Sequence, residues 1–290
     1  MLLELAIGDA YGSGFAGRYP GDLNHAEDYM PRPESIQPAG HYSGITQMAM
    51  STVESMLTGK AHDIGDAIKW VHRVFRRDRK PFGYVAADLE SLKLAKNSDV
   101  FHFVSGRNAP SILPRTVCYG IYPKLHKVLT SASAQCSMSH DSESGYKAGL
   151  GIALISHFMV CRIGPPKELH KYLHSYLPGV FRSPYSGIAS NVGKDVVSCV
   201  LNVLMHAQTL SEVLIESVDY LGCCDITAAM AMFCAAANPE AYENDLPSRL
   251  YDELEDSKYG KKYLKRLDRY LKKISLPYEI PEEITCVEDT

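Results

Sequence analysis

The chain has 290 residues, of which 46% are hydrophobic and 22% charged, so it can bury a sizeable core and extensive disorder is not expected. Its formal net charge is -4 and it has no long basic run, which argues against a broad electrostatic surface for nucleic acid. No apolar run reaches the roughly 18 residues that a membrane span needs, so we expect no membrane partner.

Helical periodicity dominates the chain, and extended alternating runs are almost absent. The opening segment MLLELAIGDAYG lacks a basic stretch and a small-residue cleavage site, so it predicts a buried helix rather than a signal peptide. Further helices are predicted at 46–57, 65–75, 147–162, 190–207, 211–221 and 227–237, with one or two more at 248–274. The predicted fold class is therefore all-α.

Clusters of Gly, Pro, Asn and Ser predict loops at 17–43, 104–114, 138–145, 177–187 and 238–247. The first is long for a compact domain, and long ordered loops are often functional. We predict one domain at 1–276 and a loosely held C-terminal tail at 277–290, which contains prolines and several acids. The eight cysteines form no CxxC pair and no export signal is evident, so a cytoplasmic location is expected.

Three polar loops, at 8–16, 40–46 and 222–227, each lead directly into an apolar helix. A helix N-terminus presents free N–H groups and a partial positive charge, so such loops suit anionic ligands. The polar residues there, Ser43, Thr46, Asp225 and Thr227, are also ordinary N-capping types. Local sequence favours capping and leaves ligand binding open.

Two other segments place polar groups beside predicted helices. Asn108 and Arg115 belong to one, and His140 with Asp141 precedes the long apolar helix near residue 147. A carboxylate could orient the imidazole of His140 for catalysis, but adjacent loop residues seldom pair in this way, and a structural role is the alternative. The signatures HExxH, GxSxG and the Walker loop are absent. Residues 12–17, GSGFAG, fit GxGxxG in spacing, but they lie in a helix-rich context rather than after a strand, so a dinucleotide-binding fingerprint is not supported.

Seven segments resemble, in chain order, successive motifs of the ADP-ribosylglycohydrolase family. They are GDAYGSGF, GHYSGITQMAM, FRRDRKPFGY, the loop 108–122 that includes Arg115, MSHDSESGYKAG, LGCCDITAAMAM and NDLPSRLYDELEDSKYGKKYLKRLDRYL. Each match alone is weak, but together they are specific and cover nearly the whole chain. The resemblance implies a compact single-domain orthogonal helical bundle with an ADP-ribose cleft and, normally, two magnesium or manganese ions.

The same resemblance implies that the family's metal ligands have been replaced. Their positions fall here on Ser43, Gly44, Ile45, Cys224, Ile226 and, for the glutamate after the opening motif, Ala16. Thr46 and Thr227 remain, and Asp225 is shifted by one residue. Hard dications need several oxygen ligands, mostly anionic, and a cysteine is a poor ligand for Mg²⁺. We therefore predict no metal ligands and no metal cofactor.

Three functions are compatible with this pattern. The first is a family member that lacks the dinuclear hydrolase activity and retains at most binding of ADP-ribose or a related nucleotide. The second is an active N- or O-glycosidic hydrolase with altered or metal-independent chemistry, for which Asp9 and His140 are the only catalytic candidates. The third is a structural or partner-binding protein with a closed pocket, although the sequence indicates no particular protein partner. The predicted ligand-binding residues are Ser43, Thr46, Asn108, Arg115, His140, Asp225 and Thr227.

Overall fold

The computed structural model describes residues 1–59, 64–80, 82–84, 86–94 and 107–275. Across these residues the chain is 63% helical with thirteen α-helices and no strand, which confirms the all-α prediction. The helices are α1 (Leu2–Ser13), α2 (Gly44–Leu57), α3 (Ile64–Asp78), α4 (Ala86–Leu94), α5 (Leu113–Thr116), α6 (Leu125–Ser137), α7 (Glu143–Val160), α8 (Leu169–Tyr176), α9 (Gly193–His206), α10 (Leu210–Asp219), α11 (Cys224–Ala236), α12 (Ser248–Asp252) and α13 (Lys261–Ser275).

Helices α1, α7 and α11 form the centre of the molecule, and nearly every residue of α1 and α11 is buried. Such helices carry apolar and small residues on all sides, as a helix surrounded by other helices must. The axes of α1 and α11 come close at two glycines. A Cβ atom at Gly8 would lie 2.5 Å from the carbonyl oxygen of Ala228, and one at Gly12 would lie 2.7 Å from the Cα atom of Asp225.

Amphipathic helices cover this centre. Helix α13 buries Leu264, Leu267 and Leu271 against the core, while α2 is buried along most of its length and packs on α3. A smaller apolar cluster joins α3 and α4 to the residue after α6 through Ala67, Val71, Phe75, Leu92 and Met138. In the described ranges, none of the helices combines the length and the apolarity that crossing a bilayer requires.

The helices predicted from periodicity are all present, with ends that differ by a few residues. Helix α7 begins at Glu143, inside the predicted loop 138–145, because Ser142 caps it by accepting a hydrogen bond from the Gly145 N–H. The sequence did not predict α4, α5, α6 or α8. Helix α6 is rich in Ser and Thr, and α8 has only two buried residues, so neither has a broad apolar stripe. The predicted tail 277–290 lies outside the described residues.

Candidate functional site

Asp9 lies on α1 and points at the start of α2, with no exposed surface. Its carboxylate accepts hydrogen bonds from the backbone N–H and the hydroxyl of Ser43, both at 2.8 Å. It also accepts from the hydroxyl of Thr46 at 2.7 Å and from the N–H of Thr46 at 3.1 Å. Three residues singled out from sequence, Asp9, Ser43 and Thr46, are therefore brought together by one carboxylate.

Burial raises the pKa of Asp9 to about 6, despite the hydrogen bonds from Thr46 and Ser43, which act to lower it. The neighbouring carboxylate of Asp225 acts in the same direction as burial. Asp9 lies at the N-terminus of α2, where the helix dipole favours a negative charge, so its ionised carboxylate caps that helix. Because Asp9 has no exposed surface, it does not face a cleft.

The N–H groups at the start of α2 are satisfied within the chain. The Gly44 N–H donates to the carbonyl of Phe82 at 2.8 Å, and the Ile45 N–H donates to the Ser43 hydroxyl at 3.1 Å. Since the N–H of Thr46 donates to Asp9, the first turn of α2 offers no ready donor to an anion. The sequence left open whether these residues cap the helix or bind a ligand, and here they cap it.

Tyr84 covers the start of α2 from the outside. A Cβ atom placed on Gly44 would lie 2.4 Å from the ring of Tyr84, and one placed on Gly83 would lie 2.2 Å from the Ser43 hydroxyl. The Tyr84 hydroxyl donates to the side-chain oxygen of Gln47 at 2.6 Å, which holds the ring in place. The space that an aspartate at Gly44 would require is therefore filled by an aromatic ring.

Arg32 lies between α1 and α11, and it is one of the residues of this site that the sequence did not predict. Its guanidinium donates to the carboxylate of Asp225 at 2.8 Å and to the hydroxyl of Ser13 at 3.5 Å. Burial opposes its charge, but Asp225 first and Asp9 to a lesser degree raise the pKa of Arg32. The only sequence signal was its position in the long loop 17–43, expected to be functional.

Asp225 uses its second carboxylate oxygen on its own helix, where it accepts the Ile226 N–H at 2.9 Å. Thr227 donates its hydroxyl to the carbonyl of Cys223 at 3.0 Å, a bond to the previous turn. Cys224 is buried, with its sulfur 3.5 Å from the carbonyl oxygen of Gly12. The start of α11 is thus held by contacts to α1 and to itself.

A second buried polar cluster joins α5 to the segment between α6 and α7. Arg115 donates to the hydroxyl of Ser139 at 2.6 Å and lies 3.4 Å from Nδ1 of His140. The other imidazole nitrogen, Nε2, lies 3.3 Å from the hydroxyl of Ser111. Burial and then the charges of Arg115 and Arg107 lower the pKa of His140 to about 3, and burial lowers that of Arg115 to about 10.

His140 is therefore a neutral side chain enclosed by protein at ordinary pH. Its ring nitrogens contact Ser139, Arg115 and Ser111, and the adjacent Asp141 is exposed. A general base must reach the substrate proton, so this buried imidazole has the geometry of a structural residue.

Asn108 is exposed, although the N–H of the preceding Arg107 donates to the carbonyl of Ser139 at 3.2 Å, beside the second cluster. The Asn108 carbonyl accepts the N–H of Gly193 at 2.7 Å, which ties the loop to the start of α9. Close to this point an open depression at the start of α7 is lined by Lys147, Lys194 and Glu143, among others. The depression therefore carries two lysines and one glutamate next to the start of α9, where the Asn108 loop is attached.

Asp9, Ser43, Thr46, Arg32 and Asp225 form a polar cluster between α1, α2 and α11, here called the α1–α2–α11 junction. These residues do not fit a dinuclear magnesium or manganese centre. Both oxygens of Asp9 and both of Asp225 already accept hydrogen bonds from this chain. Within the described part of the chain, no group of three or more His, Cys, Asp or Glu side chains is placed to hold a metal ion. A dication needs several anionic oxygen ligands at once, whereas here the guanidinium of Arg32 forms an ion pair with Asp225, one of the two acids.

Comparison with known proteins agrees with the resemblance seen in the sequence. A family model described as ADP-ribosylglycohydrolase matches residues 1–267. A solved structure described as an ADP-ribosylglycohydrolase-related protein complex superposes with a TM-score of 0.73 at 19% identity, covering 95% of this chain and 96% of that chain. At this identity the likeness concerns the fold alone. Comparison with curated protein sequences gives no match.

Proposed function

This chain belongs to the ADP-ribosylglycohydrolase family, and we propose that it has lost the family's metal-dependent hydrolase chemistry and acts by binding. One observation carries the proposal: the two buried carboxylates of the α1–α2–α11 junction, Asp9 and Asp225, are fully engaged by hydroxyls, N–H groups and Arg32. A dinuclear site polarises its substrate and activates water, and neither task is possible without free anionic ligands.

The position of Tyr84 supports the same proposal. Reopening the start of α2 requires the ring to leave Gly44, and it also requires the Phe82 carbonyl to release the Gly44 N–H. Metal ions could bind at this point only if the first turn of the helix were accessible. Here that turn is covered and its donors are used.

Thermal unfolding with divalent cations tests the proposal. A ligand that binds only the native state raises the melting temperature by mass action. We expect Mg²⁺ or Mn²⁺ to change the melting temperature no more than NaCl of equal ionic strength does. A shift specific to Mn²⁺, or release of ADP-ribose from a modified peptide that EDTA abolishes, would overturn the proposal. Turnover that EDTA leaves unchanged would instead support a metal-independent hydrolase.

A second candidate is that the chain retains binding of ADP-ribose or a related nucleotide. The observation in its favour is the open depression at the start of α7, where Lys147 and Lys194 face solvent close to the Asn108 loop. Lysine ammonium groups beside a helix N-terminus suit a phosphate or pyrophosphate. The carboxylate of Glu143 lies in the same depression and pairs with Lys147, so Lys194 is the freer cation.

Calorimetry with ADP-ribose, ADP and AMP separates this candidate from a closed partner-binding protein. We expect heat with ADP-ribose and ADP at millimolar concentration or below, and weaker binding for Lys194→Met. Lys167→Met, which removes an exposed lysine outside the depression, serves as the matched control. If none of the three nucleotides produces heat, nucleotide binding is excluded and a partner-binding role is supported.

A further inference from the structure

Helix α13 carries an unusual concentration of positive charge on a chain that is acidic overall. It contains seven Lys or Arg in 15 residues, while the formal net charge of the chain is -4. Its one acid, Asp268, is buried and accepts the N–H groups of Leu2 and Leu3. Asp268 therefore does not neutralise the outer surface.

The outer surface of α13, here called the basic face, consists of exposed side chains that follow the helical repeat. They are Lys262, Lys265, Arg266, Arg269, Tyr270, Lys272 and Lys273. Lys262 pairs with Asp256 at 2.8 Å, and Arg266 stacks on the ring of Tyr263. No described acid forms an ion pair with the remaining cations of the face.

The segment that follows α13 has the opposite charge. Residues 276–290 read LPYEIPEEITCVEDT and contain no Lys or Arg. Their five acids are Glu279, Glu282, Glu283, Glu288 and Asp289. The segment begins directly after Ser275, where α13 ends. It also lies beyond residue 267, where the match to the family model ends.

Length allows the acidic segment to reach the whole basic face. A chain of 15 residues spans at most about 50 Å when extended, whereas a helix of 15 residues is about 22 Å long. Because the segment is tethered to the helix, its effective concentration at the face is on the order of millimolar. An untethered anion at micromolar concentration competes poorly against that.

We propose that the acidic segment 276–290 docks on the basic face of α13 and screens it from other polyanions. The contact is held by charge between opposed carboxylates and ammonium or guanidinium groups, so it weakens as ionic strength rises. In this arrangement the face becomes available only when the segment is displaced or its charge is removed. The basic face does not include Asp9, and the proposal does not depend on the proposed function.

Zero-length carbodiimide cross-linking of the full chain tests the contact directly. Lys265 lies ten residues before Ser275, about 15 Å back along the helix, so a cross-link from it to a glutamate of the segment requires the segment to turn back. We expect such cross-links at low salt. We expect their loss in 0.5 M NaCl, where the Debye length is about 4 Å and attraction between exposed charges is screened. Their absence at low salt overturns the proposal. In a mixture of isotopically labelled and unlabelled chains, cross-links between chains would assign the face to a second copy and overturn it as well.

Binding to a heparin oligosaccharide tests the screening. We expect a variant with Glu279, Glu282, Glu283 and Glu288 changed to Gln and Asp289→Asn to bind about tenfold more tightly than the parent. Adding K265E, R269E and K272E to that variant is expected to abolish the gain. The control adds K124E, K167E and K171E, which reverse three exposed lysines elsewhere, to the same neutralised variant. This control is expected to retain the gain in affinity. Equal affinity of the parent and the neutralised variant would refute the screening.

Discussion

Replacing Asp9 by asparagine tests the central contact of the α1–α2–α11 junction. The side chain keeps its size but loses its ionisable oxygen, and its amide nitrogen then faces donors from Ser43 and Thr46. An unmatched buried donor costs about 1–3 kcal/mol. We therefore expect Asp9→Asn to be less stable than the parent, with the difference depending on pH.

The pH dependence follows from the raised pKa of Asp9. The carboxyl has a pKa of about 6 in the folded chain against an ordinary value of 3.8. Between these values the folded state holds the proton and the unfolded state releases it, so stability falls as pH rises. A difference of about two pKa units corresponds to about 3 kcal/mol. The contribution is complete below pH 4 and is lost once the pH passes 6.

The measurement is urea unfolding of the parent and Asp9→Asn at intervals from pH 4 to pH 7.5. Subtracting the two curves is necessary because the pKa of His140 is lowered by burial, so that this group destabilises the folded state over much of the same interval at low pH. We expect the stability advantage of the parent to shrink by about 3 kcal/mol across the range. A constant difference, or an advantage that grows with pH, would show that the four hydrogen bonds outweigh burial and would refute the reasoning.

Three further substitutions test the packing of the junction. Gly44→Asp is expected to destabilise the protein by about 2 kcal/mol or more because its side chain meets the ring of Tyr84. In a double-mutant cycle, adding Tyr84→Ala should recover part of this loss. If the two costs are additive, the aspartate and Tyr84 do not clash. Gly8→Ala is expected to lower the melting temperature because its methyl meets the backbone of α11, whereas Gly164→Ala, which meets a flexible side chain, should change it little. Arg32→Met is expected to lower the free energy of urea unfolding by about 2 kcal/mol because it leaves Asp225 without its cation, and Arg32→Lys should lower it less. If Arg32→Met causes no loss, the ion pair does not stabilise the fold.

The fold could be predicted from the sequence because its central helices carry strong local signals. Apolar residues recur at helical spacing in α2 and α9, and α11 after Thr227 is an uninterrupted apolar run of helical length. Ser43 and Ser142 are capping residues that mark two of the helix starts. Helix α6 was missed because tertiary packing, rather than its own Ser-rich sequence, holds it in place. Propensity is a weak guide wherever packing decides.

The candidate site was predictable only in part, and the reason is the distance along the chain between its members. Ser43 and Thr46 were conspicuous because they precede or occupy the start of α2. The prediction of a polar loop at 8–16 that leads into a helix was wrong, because residues 8–13 belong to α1 and Asp9 lies in the second half of that helix. Arg32 gave no local signal, since its partner Asp225 lies 193 positions away. Tyr84 was also missed, because an aromatic residue near a helix end does not reveal which backbone it will cover.

These two missed residues change how the predicted loss of the family's metal ligands is to be read. From sequence, the replacements at Ala16, Gly44, Ile45, Cys224 and Ile226 are deletions, and restoring acids there is the natural route back to a metal site. The structure adds that the two acids of the junction already have partners: Asp9 caps α2, and Asp225 is paired with Arg32. Acids restored beside Tyr84 and Arg32 would meet an aromatic ring at one loop and a competing cation at the other. Restoration of metal binding should therefore require removal of both Tyr84 and Arg32, in addition to the acids.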